Sequence, residues 1–198
     1  ASRPSHPVQY PGVSHIVRLT LVAHAMTDAM AAGRFPVDES LNVLGQRQVD
    51  ATVDLGELGA ALCAPEKRTR QTAELLGLRA EVDSRLSDLD CGRWRGEVLG
   101  GVQPAELAVW LTEPDRAPHG GESVVALIER VRSWLAAVSQ EPRRVVAVTH
   151  PAVIRAAMLV VLDAPPKSFW RIDIAPASRT VLHFRGQVWT LRSGADQR

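Results

Sequence analysis

The sequence predicts an α/β domain, and two observations support that prediction. Two apolar, β-branched runs have the pattern of buried strands, and each ends in a histidine: residues 16–23 precede His24, and residues 145–149 precede His150. Elsewhere, stretches with strand pattern alternate with stretches of helical spacing. In open α/β sheets, ligand crevices form at the carboxyl ends of the strands, so we expect the two histidines to meet in one pocket.

The first half of the chain continues with a loop, a helix, a strand and a second helix. The loop contains residues 33–36, and the helix begins near Leu41 and is about 15 residues long. Residues 60–64 form a short apolar strand that Pro65 ends, and residues 68–76 have helical character. The side chains predicted to face inward from the first helix are Leu44, Gln48, Val49, Thr52 and Leu55.

A long irregular segment separates the two halves of the chain. Residues 83–118 contain several glycines and one short predicted helix at 104–111, and a loop of this length is where we expect a cap over a site. The clearest helix follows it, because apolar residues recur at helical spacing from Val124 to Val138. Ser123 is well suited to cap the amino-terminal end of that helix.

The end of the chain predicts one more helix and a set of closing strands. Pro151 follows His150 and is favoured at the first position of a helix. Residues 153–162 are apolar on nearly every face, which predicts a helix buried against the sheet. The predicted closing strands are residues 169–174, 180–184 and 188–191.

Length and composition limit the function classes. The 198 residues fit one domain, predicted at residues 15–198, after a flexible leader at residues 1–14. A net charge of +1 argues against nucleic acid as a partner, and no run of about 18 apolar residues indicates a membrane span. Cys63 and Cys91 are too few for a disulfide framework and wrongly spaced for zinc, so we expect a cytoplasmic protein without a metal or cofactor. The sequence leaves open whether the protein forms a homo-oligomer.

Six segments, in chain order, resemble motifs of the histidine phosphatase (phosphoglycerate mutase-like) superfamily. Residues 21–25, Leu-Val-Ala-His-Ala, stand where the family has Leu-Val-Arg-His-Gly. Residues 64–73 are similar to its Ser-Pro-x-x-Arg-x-x-Gln-Thr-Ala segment, and residues 86–96 resemble its Leu-x-Glu-x-x-x-Gly-x-Trp-Glu-Gly loop. The other matches are residues 44–48 with its Gly-x-x-Gln helix, residues 120–123 with its Gly-Gly-Glu-Ser, and residues 148–151 with its Val-Ser-His-Gly.

The resemblance implies a fold and a mechanism. The fold is a three-layer α/β/α sandwich with a mostly parallel sheet. In the implied mechanism, neutral His24 attacks phosphorus and forms a phosphohistidine that water hydrolyses. Arg68 and His150 would neutralise charge on the phosphoryl oxygens, and Thr27 is a retained residue of the substrate pocket. Asp88 would give the leaving group its proton, and Asp90 is the alternative acid.

Three positions depart from the family's pattern. Ala23 replaces the arginine beside the nucleophile, Ala25 replaces the glycine that follows it, and Met30 stands where an asparagine often lines the phosphate pocket. Losing one preorganised donor typically costs the transition state about 3 to 4 kcal/mol. Arg34 is the first candidate to replace the missing arginine. The alternatives are Arg155 and Arg179.

The sequence therefore predicts a slow, metal-independent phosphatase that acts on a small phosphorylated compound. Hydrolysis ranks above mutase activity because the segment from Gly96 to Gly120 leaves little chain for a water-excluding cover. The alternative is a catalytically silent relative that binds a phosphorylated ligand or protein partner through Arg68 and helix ends. Ala23 and Met30 favour that alternative.

Overall fold

The strands of this computed structural model form one mixed sheet. The structure describes residues 15–50 and 54–194, so the predicted leader at residues 1–14 lies outside the described residues. The strands are β1 (Val17–Ala23), β2 (Ala60–Cys63), β3 (Glu81–Val82), β4 (Arg144–Thr149), β5 (Arg179–Arg185) and β6 (Val188–Arg192). Their order in the sheet is β3-β2-β4-β1-β5-β6. The first four pair in parallel, β5 pairs antiparallel with β1, and β6 antiparallel with β5.

Helices cover both faces of this sheet. They are α1 (Asp28–Ala31), α2 (Val43–Gln48), α3 (Lys67–Leu75), α4 (Pro104–Thr112), α5 (Val124–Val138) and α6 (Pro151–Val161). On one face, Leu21 and Ala147 share a core with residues of α5 and α6. On the other face, Val22 and Val148 pack with Ala73 of α3. Successive side chains of a strand point to opposite faces, and the three-layer α/β/α arrangement follows.

The helix predicted from the apolar spacing after Ser123 is confirmed as α5. Its buried stripe includes Leu127, Val131 and Leu135, each at most 1% exposed. The Ser123 hydroxyl accepts a hydrogen bond from the Ala126 N–H at 3.0 Å, which caps the helix. Burying each such side chain stabilises the fold by roughly 1.5 to 3 kcal/mol, so this stripe anchors α5 to the sheet.

The two strands that end in histidines are neighbours in the middle of the sheet. Ala23 of β1 pairs with Thr149 of β4, and the His24 N–H continues the ladder with a bond to the Thr149 carbonyl at 2.9 Å. Both strands therefore stop at the same level of the sheet. Pro151 begins α6 directly after His150, as predicted.

The helix predicted from Leu41 over about 15 residues is wrong in length. Helix α2 ends at Gln48, and the backbone of Val49 is extended. The helix packs through Gly45, whose added Cβ would lie 2.1 Å from the Met26 carbonyl oxygen, so Leu44 points outward and is 54% exposed. This close backbone approach decides which face is buried. The predicted inward residue Thr52 lies outside the described residues.

The strand predicted at residues 169–174 is also wrong. Residues Pro166–Arg171 form a short 3-10 helix, which begins with proline at its first position. A proline-led turn places Phe169 in the core and Trp170 toward a cavity, and neither joins the sheet. The predicted strands at residues 180–184 and 188–191 are confirmed as β5 and β6.

The irregular segment at residues 83–118 is held to the start of α5 by close backbone contacts. Gly121 lies against Asp90, because a Cβ on this glycine would come 2.0 Å from the Asp90 carbonyl oxygen. That same oxygen accepts a hydrogen bond from the Glu122 N–H at 2.8 Å. Arg130 of α5 donates to the carbonyls of Arg85 and Ser87. The segment is therefore fixed at the point where it carries Asp88.

Candidate active site

His24 and His150 meet at the sheet edge, as their positions after β1 and β4 predict. Their ring centroids are 5.1 Å apart, and the two side chains are 3% and 0% exposed. His24 Nδ1 lies 2.8 Å from the Ala25 carbonyl oxygen. A carbonyl can only accept, so Nδ1 carries the hydrogen and Nε2 of the neutral ring keeps its lone pair. Burial, together with the nearby His150 and Arg68, lowers the pKa of His24 to about 3.

Arg68 is the buried cation of the site. It is the second residue of α3 and is 2% exposed. Its Nη1 donates to the Val37 carbonyl at 2.8 Å, and its Nη2 donates to Asp88 Oδ2 at 2.6 Å. Arg68 also lies 3.9 Å from a carboxylate oxygen of Glu39. The guanidinium is thus held in place by a backbone carbonyl and by two carboxylates, of which Asp88 is the nearer.

Asp88 lies in the site and Asp90 does not. Besides its ion pair with Arg68, Asp88 Oδ2 is 3.4 Å from His150 Nδ1, and its Oδ1 accepts from the Leu89 N–H. Burial by itself raises the pKa of Asp88, but His150 and Arg68 favour the charged form and hold that pKa below its usual value. The Asp90 side chain is 51% exposed and pairs with Arg95.

Glu66 is a residue of the site that the motif reading passed over. It directly precedes α3, and its Oε2 accepts from His150 Nε2 at 2.8 Å. Its other oxygen accepts from the Asp88 N–H at 3.0 Å. Burial by itself raises the pKa of Glu66, but the hydrogen bond and charge interaction with His150, together with backbone hydrogen bonds, lower it below its usual value. Its position after β2 is visible in the sequence, but its approach to His150 depends on β2 lying beside β4 in the sheet.

A cavity of about 200 Å³ opens beside these groups. His24, Arg68 and Asp88 line it, whereas His150 lies behind them and is reached through Asp88. The other lining residues are Ala29, Met30, Arg34, Phe35, Pro36, Glu39, Leu89, Cys91, Trp110, Pro151, Ala152, Arg155, Phe169 and Trp170. The segment predicted to form a cap thus supplies part of the wall through Leu89, Cys91 and Trp110.

Of the other predicted residues, some line this cavity and others do not. Arg34 and Arg155 line it, whereas Arg179 lies on β5 and is not part of the lining. Thr27 is fully buried just outside it, where its hydroxyl donates to Glu39 and accepts from the Met30 N–H. Ala23 is fully buried in the core.

Among the described residues, no group of three or more His, Cys, Asp or Glu side chains is arranged to hold a metal ion. Across the same part of the chain, no helix combines the length and apolar character needed to cross a membrane.

Comparison with known proteins gives a consistent family assignment. The model of the histidine phosphatase superfamily (branch 1) matches residues 19–197. Glucosyl-3-phosphoglycerate phosphatase of Mycobacterium tuberculosis is 31% identical over 170 residues, which cover 75% of this chain and 76% of that protein. Metal-independent phosphoserine phosphatase of Arabidopsis thaliana is 28% identical over 202 residues, which cover 92% of this chain and 83% of that protein.

Two further matches are a longer relative and a solved structure. A bifunctional protein of Mycobacterium tuberculosis is 28% identical over 182 residues, and the match spans 84% of this chain but 50% of that protein's length. The solved structure of mycobacterial glucosyl-3-phosphoglycerate phosphatase with VO3 superposes with a TM-score of 0.78 at 30% identity. That match covers 88% of this chain and 96% of the solved chain.

Proposed function

Because the chain belongs to the histidine phosphatase superfamily, we propose that it is a metal-independent phosphatase that acts through a phosphohistidine. Its substrate is a small phosphorylated compound, in keeping with the phosphatases that the chain resembles. The observation that carries the proposal is the state of His24. This ring is neutral, and its Nδ1 donates a hydrogen bond to the Ala25 carbonyl. Its Nε2 therefore keeps a lone pair in the cavity that the buried Arg68 also lines.

The first step begins with an exchange of anions at Arg68. A phosphate dianion that enters the cavity competes with Asp88 for the guanidinium, whose fork suits phosphoryl oxygens as well as a carboxylate. Once displaced, Asp88 loses its contact with Arg68, one of the groups that favour its charged form, and faces a new negative charge. Both changes favour its protonated form, the state that a proton donor needs.

The chemistry then proceeds as two in-line displacements. The Nε2 lone pair of His24 forms a bond to phosphorus while the phosphorus–oxygen bond to the leaving alcohol breaks, and Asp88 gives its proton to the departing oxygen. Water next attacks phosphorus and gives a proton to the Asp88 carboxylate, the nitrogen–phosphorus bond breaks, and phosphate leaves. Arg68 stabilises the charge on the phosphoryl oxygens during both steps, and His150 assists from its place behind Asp88.

The reaction is slow because one donor is missing. Ala23 stands where the family has an arginine, and such a donor is typically worth about 3 to 4 kcal/mol in the transition state. Of the three arginines that the sequence offers as replacements, Arg34 and Arg155 line the cavity. Either can stabilise the phosphoryl group in part.

Hydrolysis of a generic aryl phosphate by the purified protein, in buffer with a chelator, tests the proposal. We expect turnover in the wild type, loss of turnover in His24→Ala, and acid-labile phosphate on the wild-type protein after rapid quenching. His183→Ala, on β5, is a matched histidine control that should keep the activity. Wild-type turnover in His24→Ala would refute the mechanism.

A silent phosphate-binding protein is the second candidate. Arg68 is a buried cation whose guanidinium pairs with an anion, Asp88, at 2.6 Å, and the alanine at position 23 leaves out a donor that turnover needs more than binding does. Calorimetric binding of inorganic phosphate without any detectable hydrolysis of aryl phosphates would favour this candidate.

A further inference from the structure

The cavity beside His24 is mostly walled by apolar side chains. Away from the phosphoryl-binding groups, the wall contains Met30, Phe35, Leu89, Trp110, Phe169 and Trp170. The lining residues of the described chain include no Ser, Thr, Asn, Gln or Tyr. The polar side chains of the lining are charged groups, among them Arg34, Glu39 and Arg155, and the indole N–H groups of the tryptophans. Most of the wall is therefore apolar surface, which an aromatic group covers better than a sugar or an amino acid does.

The aromatic part of this wall is held together by contacts between its own rings. Trp110 and Trp170 pack edge to face with ring centroids 5.6 Å apart, and Phe169 supports Trp170 at 4.8 Å. Trp110 and Phe169 are at most 2% exposed, whereas Trp170 is 37% exposed and offers surface to the cavity. An aromatic group can therefore pack on this wall without a rearrangement of the protein.

Arg155, which also lines the cavity, contacts the same aromatic wall. Its Nε donates to the Ile172 carbonyl at 2.7 Å, and its guanidinium carbon lies 5.7 and 5.8 Å from the ring centroids of Phe169 and Trp170. These contacts fix the orientation of both rings. Met30, another lining residue, has a polarisable thioether, which also packs well against aromatic groups.

We propose that the substrate is a phosphomonoester whose alcohol carries a planar apolar group, an arylalkyl phosphate, with its ring packed against Trp170 and Trp110. The inference rests on the proposed phosphatase function and adds the chemical class of the leaving group. This class differs from the phosphoserine and glucosyl-3-phosphoglycerate named for the relatives, both of which are strongly polar.

Three primary alkyl phosphates test this class: 2-phenylethyl phosphate, ethyl phosphate and O-phosphoserine. All three release a primary alcohol, so their ranking reports the contact with the wall more than the leaving group's acidity. We expect kcat/KM for 2-phenylethyl phosphate to exceed that of both others at least tenfold, from burial of the ring. Equal values, or a preference for phosphoserine, would overturn the inference and leave the phosphatase function standing.

Two tryptophan variants locate the effect. In Trp170→Ala, the ratio of kcat/KM for 2-phenylethyl phosphate to that for ethyl phosphate should fall about tenfold. Trp189→Ala is the matched control, because Trp189 lies on β6 and packs against Phe184, away from the cavity lining. This control should keep the wild-type ratio. An unchanged ratio in Trp170→Ala would refute the assignment of the ring to this wall.

A binding measurement separates the inference from the proposed function. Calorimetry with 2-phenylethylphosphonate and ethylphosphonate, neither of which has an ester bond to hydrolyse, reports affinity without turnover. We expect the phenyl compound to bind at least tenfold more tightly. If no phosphate ester is hydrolysed but this preference is observed, the phosphatase function fails and the aromatic site stands. Equal affinities overturn the aromatic site whatever the turnover.

Discussion

Glu66 Oε2 lies 2.8 Å from His150 Nε2, so a carboxylate outside the cavity lining sets the orientation of the second histidine. The same contact turns His150 Nδ1 toward Asp88, at 3.4 Å. The other Glu66 oxygen accepts from the Asp88 N–H. One side chain therefore positions both a histidine and the loop that carries the predicted acid.

Removal of the Glu66 carboxylate should weaken the site without removing a group that contacts substrate. A hydrogen bond to a charged group is worth about 1.5 to 3 kcal/mol, so we expect Glu66→Ala to lower kcat/KM roughly tenfold to hundredfold. Glu66→Gln should recover part of this loss, because its amide oxygen still accepts from His150, and its pH profile should differ from that of the wild type. Glu74→Ala, an exposed site on the same helix, is the control. Equal losses in both alanine variants would argue against a positioning role.

Asp88 as the proton donor predicts a dependence on the leaving group. Asp88→Asn should slow the hydrolysis of alkyl phosphates roughly a hundredfold and that of activated aryl phosphates much less, because an aryloxide leaves without a proton. Steady-state kinetics on one substrate of each kind measures the difference. Asp90→Asn should leave both rates near wild type, since this side chain is half exposed and pairs with Arg95. Equal slowing of both substrates by Asp88→Asn would assign it another role.

The missing arginine gives a gain-of-function prediction. Ala23→Arg should raise the hydrolysis rate about tenfold or more, because a charged donor near the transferring phosphoryl group stabilises its transition state. Ala23 is fully buried, so a thermal melt and inorganic phosphate binding must first show that the variant is folded and competent. If such a variant of an inactive parent shows no turnover, the chain is a phosphate-binding relative and not an enzyme.

The buried, neutral His24 predicts a pH dependence of stability. Its pKa falls from 6.5 to about 3 on folding, so between these values the unfolded chain binds a proton that the folded protein does not. The free energy of unfolding should therefore decrease as the pH falls from 6.5, by roughly 1.4 kcal/mol per pH unit. Urea unfolding between pH 6 and pH 5 should show a slope smaller by about this amount in His24→Asn.

His119, whose pKa burial also lowers, is present in both of these proteins and cancels from the comparison. The lowered pKa values of Glu66 and Asp88 act below the ordinary values of 4.5 and 3.8, outside the chosen range. Identical slopes for the wild type and His24→Asn would mean that folding does not disfavour the charged form of His24.

The sequence predicts the sheet better than the parts that join it. Strands β1 and β4 follow from unbroken β-branched runs, and α5 follows from apolar spacing and a cap, all of which are local signals. The buried face of α2 is set by the approach of Gly45 to the backbone of Met26, a contact with a residue on another segment that no local pattern records. The turn that carries Trp170 is likewise decided by the core into which Phe169 fits.

The residues of the candidate site also differ in whether the sequence predicts them. His24 and His150 come from strand ends, and Arg68 and Asp88 from the resemblance, and the four lie together in the structure. Glu66 has no motif of its own, and its role depends on β2 lying beside β4 in the sheet order. The apolar wall is assembled from segments that are far apart in the chain, among them residues near Met30, Leu89, Trp110 and Trp170.

The backbone contact between Gly121 and Asp90 has a consequence for attempts to change the acid loop. Any side chain at position 121 would collide with a carbonyl, and an added Cβ at Gly92 would come 2.2 Å from the His119 carbonyl oxygen. The two segments therefore form one transplantable unit. A graft of the Asp88 loop from another phosphatase should fold here only when residues 119–122 are exchanged with it, so substrate-specificity libraries for this scaffold should vary both segments together.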